Sequence, residues 1–215
     1  HSFSGSLNIS NSVISIGSDA FFCCDGFNRS LILSKSLKSI GSYVFYRCSR
    51  LTGPLNLPNM LAKIECGVFS KCERLNGTLI IPNSVEYVGS YTFNECSGFT
   101  GSLIIPDSVK YLGTYAFSNC FGFNGSLSIS NSLEEVGNTW FENSTGFTGS
   151  LTIGNKVKTI EAESFKSFSK LAGELKLPDS VTFIGEYAFY GFTKLTGILK
   201  IPKFVTSICN YSFSK

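Results

Sequence analysis

A leucine recurs at one constant spacing from one end of the chain to the other: Leu7, Leu31, Leu55, Leu79, Leu103, Leu127, Leu151, Leu175 and Leu199. The repeat therefore has twenty-four columns, and with that leucine as column one, column three is always Ile or Leu and column seven Val or Leu. Column ten is Ile, Val or Leu. Column fifteen is Phe in every copy: Phe21, Phe45, Phe69, Phe93, Phe117, Phe141, Phe165, Phe189 and Phe213. A fixed period of this length, kept without insertion or deletion, is the mark of units that stack into a solenoid. Burying the apolar columns of one unit falls short of the conformational entropy lost in ordering its backbone, so a single unit does not fold alone. Stacking shares the buried faces and completes the backbone hydrogen bonds between neighbours. The expected fold is therefore a repeat solenoid of about nine units, one domain over residues 1–215.

Composition narrows the class. With 43% hydrophobic and 15% charged residues the chain is not disordered. A net charge of +3 is far below the excess that marks a nucleic-acid binder. No apolar run approaches the roughly 18 residues of a membrane helix, so no span is expected in this segment. His1 is the only histidine, which leaves no imidazole to pair with a nucleophile and restricts any zinc site to thiolates and carboxylates. No catalytic residue, cofactor or metal site is expected. The first residue is not Met and no signal-like segment opens the sequence, so the chain is expected to be an excerpt of a longer one, cut within a repeat at both ends.

Within a unit, the Leu-x-Ile of columns one to three has the period of a short parallel strand, with columns twenty-four and two facing outward. Pro58, Pro82, Pro106, Pro178 and Pro202 end that strand at column four, because Pro cannot donate to a ladder. A second extended piece is expected over columns seven to ten. Glycine at column eleven (Gly17, Gly41, Gly89, Gly113, Gly137, Gly185) reads as a backbone angle closed to other residues, and Glu65, Glu161 and Cys209 in the same column read as altered turns. The segment after it, Tyr115-Ala116-Phe117 in one copy, is short enough for a single helical or 3₁₀ turn.

The run Leu103-Ile104-Ile105-Pro106-Asp107-Ser108-Val109, continuing through Gly113, Ala116, Phe117 and Cys120, resembles the BspA-like leucine-rich repeat of bacterial and protist surface proteins. The resemblance covers essentially the whole chain. It implies a right-handed leucine-rich-repeat solenoid with little helix, secreted or displayed at the cell surface, that binds a protein partner such as a host matrix or cell-surface protein.

Eight cysteines need a separate account. Cys24, Cys48, Cys72, Cys96 and Cys120 share column eighteen, where stacked side chains run parallel and stay further apart than a disulfide prefers. They are expected to be free, buried and space-filling, since the column continues as Ser144, Phe168 and Phe192. Glu134, Glu135 and Glu142 lie in columns that also carry Lys or Ser, which fits a solvated face better than acid/base chemistry. Two candidate interaction surfaces remain. One is the strand face, where Ile32, Pro54, Thr78, Ile80, Ser102 and Ile104 form an apolar centre that passes into Ser and Thr and ends at Glu174, Lys176 and Lys200. The other is a basic edge of Arg47, Arg50, Lys71 and Arg74. The leading reading is a non-catalytic surface or secreted recognition module; the alternative is a scaffold component packing laterally against neighbouring subunits of an assembly, in which case it could be intracellular.

Overall fold

The computed structural model describes residues 3–215, so His1 lies outside the described residues. The chain winds into parallel coils, one per repeat, eight of them complete (7–30, 31–54 and so on to 175–198), with a ninth that reaches column seventeen at Lys215. Columns one, seven, ten and fifteen form the core, and the largest fully buried side chains are nearly all phenylalanines. The column-fifteen rings stack face to face with centroids 5.2–5.9 Å apart at every junction except Phe141–Phe165, which opens to 6.4 Å.

Three hydrogen-bonded ladders join the coils. The first was expected to be one continuous sheet over columns one to three and is instead broken. Leu7–Asn8 with Leu31–Ile32, and Leu103–Ile104 with Leu127–Ser128 and Leu151–Thr152, pair in that position, each residue facing its own column in the next coil. Elsewhere pairing slides back to columns twenty to twenty-four: Gly53–Pro54 with Leu75–Asn76, and Ala172–Glu174 with Lys194–Thr196, each facing a different column of the next coil. The glycines of column twenty-three take both hands: Gly5, Gly53, Gly77, Gly101, Gly173 and Gly197 are left-handed (φ 77° to 94°), whereas Gly125 and Gly149 are not.

The second ladder occupies columns nine and ten, the second half of the extended piece expected over columns seven to ten. It runs Ser15–Ile16 to Ser39–Ile40, then Lys63–Ile64 through Tyr87–Val88 to Tyr111–Leu112, then Glu135–Val136 through Thr159–Ile160 to Phe183–Ile184. Its two gaps fall between coils two and three and between coils five and six. The column-eleven substitutions bear unevenly on it. Glu161 keeps the glycine pattern, its N–H donating to the Val136 carbonyl at 2.9 Å; Cys209 reaches Ile184 only at 3.4 Å; Glu65 makes no such bond.

The third ladder replaces the expected helical or 3₁₀ turn, for the described residues contain no helix of either kind. N–H groups of columns thirteen, fifteen and seventeen donate to carbonyls of columns twelve, fourteen and sixteen in the next coil. Tyr43 reaches Cys66 at 2.8 Å, Phe45 reaches Val68 at 2.9 Å, and Arg47 reaches Ser70 at 2.8 Å. The reason is backbone handedness. Column thirteen (Asp19, Tyr43, Tyr91, Tyr115, Glu163, Tyr187, Tyr211) and column seventeen (Cys23, Arg47, Lys71, Glu95, Asn119, Asn143, Ser167) lie at φ of 55° to 65°, which interrupts any right-handed run. The amides that a 3₁₀ turn would use internally are thereby turned toward the neighbouring coil.

Column-eleven glycine also proves to serve a purpose other than the expected one. Gly41, Gly89, Gly113 and Gly185 are not left-handed. A Cβ on Gly113 would lie 2.3 Å from the Ser90 backbone nitrogen, and one on Gly185 would lie 2.4 Å from that of Ala162. Glycine there lets one coil approach the backbone of the coil beneath it.

Candidate protein-binding surface

The outward positions of the strand face are set by the alternation of the short strands, which buries Leu31 and Leu103 and turns Ile32 and Ile104 to solvent; Leu79 and Ile80, outside any strand, are buried and exposed in the same way. These three isoleucines are 51%, 69% and 61% exposed, far more than an apolar side chain held in a core-facing column. Pro54 and Thr78 are exposed beside them, while Ser102 is half-buried. The serines of this face are drawn into the stack: the Ser102 hydroxyl accepts the Ser126 N–H at 3.0 Å, and the Ser126 hydroxyl accepts that of Ser150 at 3.0 Å. Ile80 and Ile104 stand in adjacent coils but not in the same hydrogen-bonded sheet, because the first ladder has shifted register between them.

Two hollows open along this face, which the repeat alone did not announce. One of about 430 Å³ lies between coils two and three, bordered by Ile32, Lys35, Asn56 and Pro58. Another of about 500 Å³ is bordered by Ile104, Pro106, Ser128 and Thr152. In both, a large column-two side chain is followed by a small polar one in the next coil, and that step was present in the sequence as Ile32 to Asn56 and Ile104 to Ser128.

On the basic edge, Arg47, Arg50 and Arg74 are exposed. Lys71 is half-buried and lies 3.6 Å from the Glu95 carboxylate, so one of the four charges is already balanced within the stack. Other carboxylates behave likewise. Glu134 accepts a hydrogen bond from Lys158 at 2.8 Å and Glu86 from Lys110 at 2.8 Å, and these bonds hold both carboxyls below their usual range. Such groups stay ionised near neutrality and are poorly suited to proton transfer. Among the described residues no cluster of three or more His, Cys, Asp or Glu converges as a metal site would require.

All eight cysteines are free thiols. Cys48, Cys72, Cys96 and Cys120 are buried, and they do more than fill space. Each Sγ–H donates to a column-fifteen carbonyl of the preceding coil: Cys48 to Phe21, Cys72 to Phe45 and Cys120 to Phe93 at 3.1 Å, and Cys96 to Phe69 at 3.0 Å. Ser144 takes over with the same bond, its hydroxyl donating to Phe117 at 2.6 Å, which explains why serine substitutes for cysteine in this column. Burial pushes the Cys48 and Cys120 thiols up to about 12 and those of Cys72 and Cys96 well above the ordinary range. Thiols that resist ionisation are poor nucleophiles and poor metal ligands.

Among the described residues no helix is long and apolar enough to cross a membrane. No curated protein matches the sequence. Among solved structures, a leucine-rich repeat protein from Bacteroides ovatus superposes with a TM-score of 0.78 at 23% identity over 95% of this chain. The chain spans about half (52%) of that protein's length. The T. pallidum leucine-rich repeat protein gives 0.62 at 25% identity, covering 74% of this chain and 72% of that one. A leucine-rich repeat protein from Eubacterium ventriosum gives 0.53 at 17%, covering 97% and 76%. Leucine-rich repeats of this kind are scaffolds for protein–protein interaction, and no enzymatic family is indicated. The model of the BspA type leucine-rich repeat region matches residues 2–120 and 99–215, so that, coil upon coil, the chain belongs to that family.

Proposed function

We propose that this chain is a non-catalytic recognition module, secreted or displayed at a cell surface, that holds a protein partner against its strand face. The observation that carries the reading is the set of exposed isoleucines, Ile32, Ile80 and Ile104, each following a leucine locked into the core, with Ile32 and Ile104 mounted on strands. A branched apolar side chain on a rigid backbone loses little further freedom when it is covered, so more of its burial appears as affinity. The hollows beside Ile32 and Ile104 offer places for partner side chains to seat. The family's surface and secreted members favour an extracellular setting.

Binding to immobilised matrix and cell-surface proteins, compared between the wild type and the Ile80→Asp with Ile104→Asp variant, tests this. Neither side chain points into the core, so the variant should fold normally while binding at least tenfold more weakly, about 1.4 kcal/mol. Binding that survives this change and disappears on neutralising Arg47, Arg50, Lys71 and Arg74 would move the working surface to the basic edge.

A further inference from the structure

Column nine, in the second ladder, carries Lys63, Tyr87, Tyr111 and Glu135 in four successive coils. The two tyrosine rings lie face to face, with centroids 4.7 Å apart and planes within 5° of parallel. One end of this pair is capped: the Lys63 ammonium stands over the Tyr87 ring, 5.9 Å from its centroid. The other end is not. Among the described residues no ring of coil six stacks on Tyr111, which is 47% exposed. The sheet that holds Lys63, Tyr87 and Tyr111 together stops there, because the second ladder is interrupted between Tyr111–Leu112 and Glu135–Val136.

A hollow of about 350 Å³ opens at that break. Coil five contributes Tyr111 to it and coil six contributes Glu134 and Glu135, while the buried side chains of Leu112, Leu133 and Trp140 border it from the core. Most of its charges are already balanced. Lys110 is paired with Glu86, and Glu134 with Lys158, each at 2.8 Å. Glu135 is exposed and belongs to no ion pair among the described residues. A free carboxylate and the negative face of an aromatic ring thus border the same hollow, and both attract positive charge.

We infer that this hollow is a second binding site, separate from the strand face, which takes an arginine side chain of a partner protein. A cation is attracted to the face of an aromatic ring within about 6 Å of its centroid, the relation in which Lys63 already stands to Tyr87. On Tyr111 the partner's guanidinium takes the matching place at the other end of the pair. Being planar, it lies along the ring and still directs N–H groups sideways to the Glu135 carboxylate, an arrangement the compact ammonium of lysine does not match. The arginine methylenes rest on the apolar residues that border the hollow from the core. The head group reaches the exposed ring from solvent, so the coils need not part to admit it.

Trp140 is the only tryptophan, so its indole N–H resonance reports on this hollow. The probe is the acetylated and amidated pentapeptide Gly-Gly-Arg-Gly-Gly, titrated into the protein beside its citrulline counterpart, which has the same shape and no charge. The arginine peptide should shift the Trp140 indole and Tyr111 ring resonances saturably, and the citrulline peptide should bind at least tenfold more weakly. Tyr111→Phe keeps the ring face and should hold the affinity within about twofold, whereas Tyr111→Ala should lower it at least tenfold. Glu135→Gln alters only an exposed side chain and should weaken binding at least threefold, whether or not Tyr111→Ala folds. Free arginine, whose own carboxylate would be repelled by Glu135, should bind more weakly than the peptide. Equal affinity for the arginine and citrulline peptides, no saturable shift, tighter binding of free arginine, or the same shifts from an uncharged methyl glycoside would each overturn the proposal.

Discussion

A column-eighteen cysteine shows how a repeat position acquires a physical role. Its thiol fills a gap beneath the Phe stack and also donates to a carbonyl of the preceding coil, a task Ser144 performs equally well and Phe168 and Phe192 do not attempt. Because burial raises these thiols above their ordinary value of 9.0, to about 12 for Cys48 and Cys120, the folded state holds their protons when the unfolded chain would release them. Their contribution to stability is then complete below about pH 9 and lost as pH rises toward 12. Iodoacetamide at pH 8.5 should leave Cys72 and Cys96 unmodified in the native protein and label them fully in denaturant; labelling without denaturant would show that the column is open. Burial and the absence of disulfides were legible in the sequence, because parallel stacking follows from the constant spacing. The hydrogen bond was not, since it depends on where a neighbouring carbonyl points. The left-handed residues of columns thirteen and seventeen were equally hidden, for Tyr, Arg and Lys do not advertise that conformation as glycine does.

At the scale of the element, the strands were easier to foresee than the turns. The alternation of Leu-x-Ile and the apolar positions seven and ten placed the first and second ladders, but the continuity of the first was misjudged. Glycine at column twenty-three takes either hand, and the pairing register differs between coils that carry the same residue there. The third ladder had no signature of its own, because its left-handed columns carry residues such as Tyr43 and Arg47 that do not mark that conformation as glycine would. Column-eleven glycine gives the sharpest test of how coils approach one another. Gly113→Ala places a methyl group 2.3 Å from the Ser90 backbone nitrogen and should cost about 1–3 kcal/mol in denaturant unfolding. Gly17→Ala, in the same column but with nothing within 4 Å of the added carbon, should change stability by less than about 0.5 kcal/mol. Equal effects at the two sites would mean that the glycines serve the turn itself and not the contact between coils.

For the whole molecule, the outer surface follows from stacking: a core continuous through the coils backs the exposed strand face. The solenoid and its core columns were readable from the constant period of the sequence, whereas the hollows lie at departures from that period at single positions such as Asn56 and Ser128. Their effect is on the fit between neighbours, which no column taken alone records. The claim on which all of this rests is that equivalent amides in successive coils are bonded to the next coil. Native-state hydrogen exchange resolved to single amides measures that bond directly. The account predicts slow exchange recurring once per coil, at Phe45, Phe69, Phe93 and Phe117, with the intervening Tyr46 and Ser70, bonded only within their own turns, exchanging faster. Protection that ran through consecutive residues, as in a helix, or that failed to recur from coil to coil, would contradict it.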